Sequence, residues 1–225
     1  MFLFKRGIAL LLLVLVTACA TTVKPGLTNS TTKLDLGDDC MLLLTAELAN
    51  DYHPFYQPEA MMLQVETLNP KDSKDRMNVL TDQEGTSVSE SMNKYIFRAR
   101  LKSGKYVLRG IAGSSGIFPI HGTFFVPLHC EIDAKKGEVV DLGKVVARTR
   151  ERQGGEFRAG PVVPLLDQAV TGYSGSTFDV KTSVSKEDDV NALKVKFPVL
   201  RTVQLVEEPL PPFDRNAAQK WWETH

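Results

Sequence analysis

The sequence predicts a mainly β protein: an antiparallel β-sandwich with one short internal helix and a short helix near the C-terminal end. Three observations lead there. From Leu34 onward, apolar residues recur mostly at every second position, the period of a half-buried strand. Turn signals rich in Gly, Asp and Ser break these runs at short intervals, as in stacked sheets and unlike strands alternating with long helices. Of 225 residues, 43% are hydrophobic and 24% charged, which excludes a disordered chain and a multi-span membrane protein. Lys and Arg total 27 against 27 Asp and Glu, so no global field draws nucleic acid to the chain.

Residues 1–18 read as a secretory signal. Lys5 and Arg6 precede an apolar core, and small residues follow it. Ile8 to Val16 is well short of the roughly 20 residues needed to cross a bilayer as a helix, so the segment is expected to be removed. Its end, Val16-Thr17-Ala18-Cys19, resembles the lipobox of bacterial lipoproteins: an aliphatic residue, two small ones and a cysteine. The resemblance implies cleavage before Cys19 and attachment of palmitate-type acyl chains to its thiol. With Ala20 rather than Asp following, it also implies the outer membrane, on the side facing the periplasm. Each buried CH₂ contributes about 0.8 kcal/mol, so two or more chains anchor stably. Residues 19–33 then read as a lipidated flexible tether, since 20–33 is rich in Thr, Ser, Asn, Pro and Gly without apolar periodicity.

The body is expected over 34–208. Cys40, Leu42, Leu44, Ala46 and Leu48 form one face of a first strand, with Met41 and Leu43 on the other; Met61–Leu68 forms a second. Met92–Gly110 reads as a hairpin, with Tyr95, Phe97, Ala99 and Leu101 inward, Arg98 and Arg100 outward, and a turn at Lys102–Lys105. Phe124, Val126, Leu128, Cys130 and Ile132 give another inward face, and Pro127, which lacks a donor, predicts an edge or a bulge. A turn at Asp133–Gly137 sends the chain back over Glu138–Ala147. Ser185–Asp188 opens a helix with Val190, Leu193 and Phe197 on one side; Pro198 stops it, and Val199–Val206 resumes as strand. Asn69–Asn93 and Gly110–Gly122 are left as long loops. In the tail, 209–225, Phe213, Ala217 and Trp221 recur at helical spacing after Asp214, a candidate cap.

Ser103-Gly-Lys-Tyr106-Val-Leu-Arg-Gly110-Ile, with Gly122-Thr-Phe-Phe-Val and Gly137-Glu-Val-Val-Asp-Leu-Gly143-Lys-Val, resembles transthyretin-like and carboxypeptidase-regulatory-like domains. The match covers about a quarter of the chain and consists of turn glycines and core aromatics. It implies an Ig-like sandwich architecture and carries over no catalytic residue.

Several residues could carry chemistry. Cys40 and Cys130 both point inward, either bridged across the sandwich or as two buried thiols. His129 and Cys130 are adjacent and face opposite sides of a strand, so with His121 they make a poor metal set; no metal or other cofactor is expected. Ser114 in Ala112–Gly116, with His121 nearby, has the look of a nucleophile elbow but lacks the helix that should follow it. Asp38-Asp39 and Glu187–Asp189 fit a turn and a helix start better than a cation loop. Arg148, Arg150 and Arg152 form a stripe diluted by Glu151 and Glu156. Trp221 and Trp222 either fold back onto the body or present a partner-binding surface. The expectation is a non-catalytic, lipid-anchored envelope module with a protein partner. The alternatives are a lipoprotein that binds glycan, peptide or lipid on the two long loops, and a hydrolase built on Ser114.

Overall fold

In the computed structural model, residues 20–224 are described; residues 1–18, expected to be a signal, and Cys19 lie outside the described residues. The protein is mainly β, with two mixed sheets. The first contains β1 (Thr21–Val23), β3 (Glu59–Thr67), β4 (Arg76–Leu80), β7 (Gly104–Ile117) and β8 (Ile120–Ala134), in the order β1-β4-β3-β7-β8. The second contains β2 (Asp39–Ala49), β5 (Thr86–Ser87), β6 (Asn93–Lys102), β9 (Val139–Glu151) and β10 (Ser176–Ser183), in the order β10-β9-β2-β6-β5. A short β11 (Leu205–Glu207) also joins β9. Among the described residues three helices complete the set: α1 (Leu165–Val170), α2 (Glu187–Lys196) and α3 (Arg215–Thr224).

Alternation puts the expected residues in one shared core. Cys40, Leu42, Leu44, Ala46 and Leu48 from β2 meet Leu63 and Val65 from β3, Leu108 from β7, and Phe124, Val126 and Leu128 from β8. Each fully buried aliphatic or aromatic side chain contributes about 1.5–3 kcal/mol. The opposite face of β2 is also buried. Met41 and Leu43, with Ile96 and Val139, form a second cluster under Leu27, Leu36, Leu193, Phe197, Val199 and Leu200.

The turn signals mark real bends, but the chain changes sheet at two of them. β6 and β7 do not pair across Lys102–Gly104: β6 pairs with β2 and β5, while β7 pairs with β3 and β8. The expected Met92–Gly110 hairpin is therefore a corner between sheets. β8 and β9 are separated in the same way. The hairpin lies instead in the stretch expected to be loop, where β7 and β8 pair up to Ile117 and Ile120. Nor is Asn69–Asn93 a long loop, since it holds β4 and β5. Of the two loops on which a ligand site would have been built, Gly110–Gly122 is thus mostly strand, and Asn69–Asn93 is interrupted by two short strands.

Crossing over also makes the sheets mixed rather than purely antiparallel. β9 returns beside β2 in the same direction, and β1–β4 and β11–β9 are parallel too. Pro127 behaves as its chemistry requires. It sits on edge strand β8, where the register slips between Leu108 and Gly110. Gly110 is needed there, because a Cβ would lie 2.5 Å from the Phe125 ring and 2.3 Å from the Val126 carbonyl oxygen.

Three further expectations need correction. Residues 20–33 are not a free tether: β1 extends the first sheet, the Gly26 amide donates to the Arg98 carbonyl at 2.9 Å, and Leu27 is buried. A few apolar side chains suffice for this because the outer face of β2 and β6 offers them an apolar floor. Arg98 does not face water. It is fully buried beneath that cover, with its guanidinium 4.5 Å from the Phe197 ring centroid and paired with Asp82 and, at 3.7 Å, Glu84. Val199–Val206 is not one strand: a 3-10 turn (Pro198–Arg201) directs Val199 and Leu200 into the second cluster, and only Leu205 and Val206 are extended, as the start of β11.

Candidate binding surface

The chemistry-bearing residues are mostly absorbed by the fold. Cys40 and Cys130 are both buried and free, one in each sheet, so the bridge weighed from alternation is not formed. Both point inward as expected, but shared direction does not bring the sulfurs together. Burial pushes the Cys40 thiol up to about 12 and the Cys130 thiol up to about 11, which makes both poor nucleophiles at neutral pH. The Cys130 thiol donates to the Leu128 carbonyl at 3.3 Å. Cys19 lies outside the described residues.

Ser114 sits within β7 opposite Thr123, and His121 lies on β8 opposite Gly116. Asp167 accepts a bond at 3.1 Å from the His121 backbone N–H, not from its ring. The strand runs on past Ser114 to Ile117, so the sharp strand-to-helix turn of a nucleophile elbow does not form. Among the described residues no three His, Cys, Asp or Glu side chains are grouped to hold a metal ion.

The charge clusters are internal ion pairs. Asp39 binds Arg100 at 2.8 Å and Lys102 at 2.7 Å. Asp189, at the start of α2, accepts from Lys94 at 3.2 Å and lies 2.9 Å from Lys144. Arg148 grips Asp51 with two bonds, at 2.6 and 2.8 Å. Arg150 holds Glu156 with two more, at 2.7 and 2.6 Å, and Arg215 of α3 reaches Glu156 at 3.2 Å and Asp179 at 2.7 Å. The bonds from Arg150, reinforced by the Gln153 amide and the Arg215 charge, hold the Glu156 carboxyl down at about 2 against its partial burial.

Arg152 and Arg158 are different. Arg152 donates to the Glu156 backbone carbonyl and Arg158 to that of Ser174; among the described residues neither has a carboxylate ion pair. Burial, and then the Arg158 charge, lower the Arg152 pKa below the usual arginine value against the attraction of the Glu156 carboxylate.

These two arginines flank the tryptophans. Asp214 caps α3, accepting from the Ala217 amide at 2.9 Å as the sequence suggests, although the residue buried beneath the helix is Ala218 rather than Ala217. The helix then lays both tryptophans on the body. Trp221 packs on Phe125 at 5.5 Å and on His129 at 4.8 Å between ring centroids. Trp222 packs against the shared core, and Arg152 stands 5.6 Å above its ring. Both remain half-exposed, and together with Phe125, Arg158, Pro161 and Val162 they line a groove of about 370 Å³.

The groove continues onto an apolar end of the molecule that the sequence reading missed. Val162, Val163, Leu165, Leu166, Ile117, Phe118 and Phe55 are all exposed, Phe118 by 87%. Hydrogen bonds bring their loops together: His121 N–H to Asp167, Gln168 to Thr123, and His53 to the Val170 carbonyl. One signal was available, namely the run Pro161-Val-Val-Pro164-Leu-Leu166, whose prolines hinder a strand while its other side chains are apolar.

No family model matches the chain, nor does any curated protein or solved structure. Among the described residues no helix is long and apolar enough to cross a membrane.

Proposed function

We propose that the chain is a lipid-anchored protein of the bacterial cell envelope, acting as a non-catalytic interaction module at the periplasmic side of the outer membrane. One observation carries this reading: the lipobox-like Val16–Cys19 stands directly before a segment that docks onto the body from Thr21 onward. Acyl chains on Cys19 would then hold the body close to the headgroups in a restricted orientation.

That orientation has a consequence. β1 runs parallel to β4, which pairs with β3 opposite the start of β7, so the described chain enters β1 at Thr21 from the end that bears the Lys102–Lys105 turn. The apolar end lies at the far tip of β7. That strand has 14 residues and a length of about 45 Å at the usual strand rise. An anchored body would therefore present its apolar end away from its own bilayer, where a protein partner can reach it. The two facing sheets also support a β-sandwich, and with the Gly-x-Tyr-x-Leu stretch at Gly104–Leu108 we assign it to the transthyretin-like type.

Intact-mass analysis of the mature chain from its native membrane tests the proposal. The expected result is loss of residues 1–18 and a gain of two or three acyl chains, with release to the soluble fraction in Cys19→Ser. An unmodified Cys19 thiol would overturn it.

A further inference from the structure

The groove between α3 and the 158–162 segment combines an apolar floor with arginine charge that, among the described residues, has no carboxylate ion pair. We infer that it receives an apolar peptide segment carrying a carboxylate, contributed by a second protein. This names the partner class for the interaction role proposed above. It does not depend on the lipid, so the two ideas fail separately.

The floor is built from Phe125, Trp221, Trp222, Pro161 and Val162, side chains suited to an aliphatic or aromatic anchor from the partner. The rim supplies the charge requirement. Arg150 and Arg215 share the carboxylates of Glu156 and Asp179, whereas Arg152 and Arg158 spend hydrogen bonds only on backbone oxygens. A carboxylate entering the groove would complete a charge-assisted pair with Arg158, which lines it, and the Arg152 charge above the Trp222 ring would add to the attraction.

The form of the site separates a peptide from a bilayer. A bilayer surface is flat and cannot fill a recessed groove, whereas one anchoring side chain can. Exposed lysines that would attract anionic headgroups stand at the other end, as Lys71, Lys74 and Lys105. Continuity with Val163, Leu165 and Leu166 gives the flanking residues of a bound segment further apolar surface.

Trp221 and Trp222 are the chain's only tryptophans, so intrinsic emission reports on the groove itself. The experiment titrates the full mature chain, in nonionic detergent, with acetyl-Asp-Leu-Phe-Leu-Glu-amide and with its counterpart bearing Lys at both ends. A saturable emission change is expected with the acidic peptide and binding at least about tenfold weaker with the basic one, the size of a charge-assisted hydrogen bond. Arg158→Gln should bring the two affinities together, and Val162→Asp should abolish the response without moving the urea midpoint, since Val162 is already exposed. If Arg158→Gln disturbs folding, high salt on the unaltered protein should weaken the acidic peptide selectively. Equal binding of both peptides, or no saturable change, would overturn the inference. So would a response to phosphatidylglycerol vesicles in place of peptide, which would mark a membrane contact. A dimer dispersed by Val162→Asp in sedimentation would overturn it in favour of a second copy of this chain.

Discussion

The outer faces of the two sheets are built differently. On β2, β6 and β9 the outward residues include Met41, Leu43, Ile96 and Val139, and the N-terminal segment, α2 and the 3-10 turn seal them into a second core. On the other sheet Gln64 faces Asn78 and Ala112 faces Phe125; these positions stay half-exposed, and Trp221 covers only the Phe125–His129 corner. The first face spends its apolar surface on stability. The second keeps some accessible, next to the groove where we place the partner. A strand that is apolar on both sides demands a third layer, and a strand that is polar on one side does not.

Six measurements would break or sharpen this contrast. Phe197→Ala removes a fully buried ring from the sealed face and should lower the unfolding free energy by about 3–5 kcal/mol in urea titration. Met61→Ala, on the open sheet, should change it by less than about 0.5 kcal/mol, and equal effects would erase the distinction. Arg98→Ala should cost about 2–4 kcal/mol, because it opens a cavity against Phe197 and strips Asp82 and Glu84 of their counter-charge. Arg98→Met, which keeps most of the volume, should cost clearly less if packing dominates there.

Trp221→Ala should cost only about 1–2 kcal/mol, since its ring is half-exposed and its main contacts are with Phe125 and His129. The smallest effect is kinetic. With both thiols buried and their pKa values raised, labelling at neutral pH requires local opening, and Cys130 on edge strand β8 should react before Cys40 on interior strand β2. Cys40 reacting first would place the looser region on the sealed side. Failure of either to react in urea without reductant would mean that a bond joins them after all.

Much of the local structure was legible. Period-two alternation located β2, β6, β8 and β9, helical spacing located α2 and α3, and the cap at Asp214 and the edge at Pro127 follow from single-residue chemistry. The bends at Lys102–Gly104 and after Ala134 were also readable as bends. Their consequence was not, because a turn signal says that the chain reverses and nothing about which strand it will meet. The docking of 20–36 escaped for a related reason: Val23, Leu27 and Leu36 are too widely spaced to show a period. Of the candidate surface, Trp221 and Trp222 stood out by type and position, whereas Phe125, Arg158 and Val162 become partners only when α3 folds back across the edge of β8.

The sequence by itself determined the strand faces, the thiols' inward direction, the Asp214 cap that starts α3 and the lipobox-like segment, because each depends on residues within a few positions of one another. Tertiary structure alone decided which strands pair, that Arg98 is buried, and that two arginines beside a groove of aromatic rings form no carboxylate ion pair among the described residues. Those outcomes depend on distant segments competing for the same apolar surface and the same charges, and chain order does not record who wins.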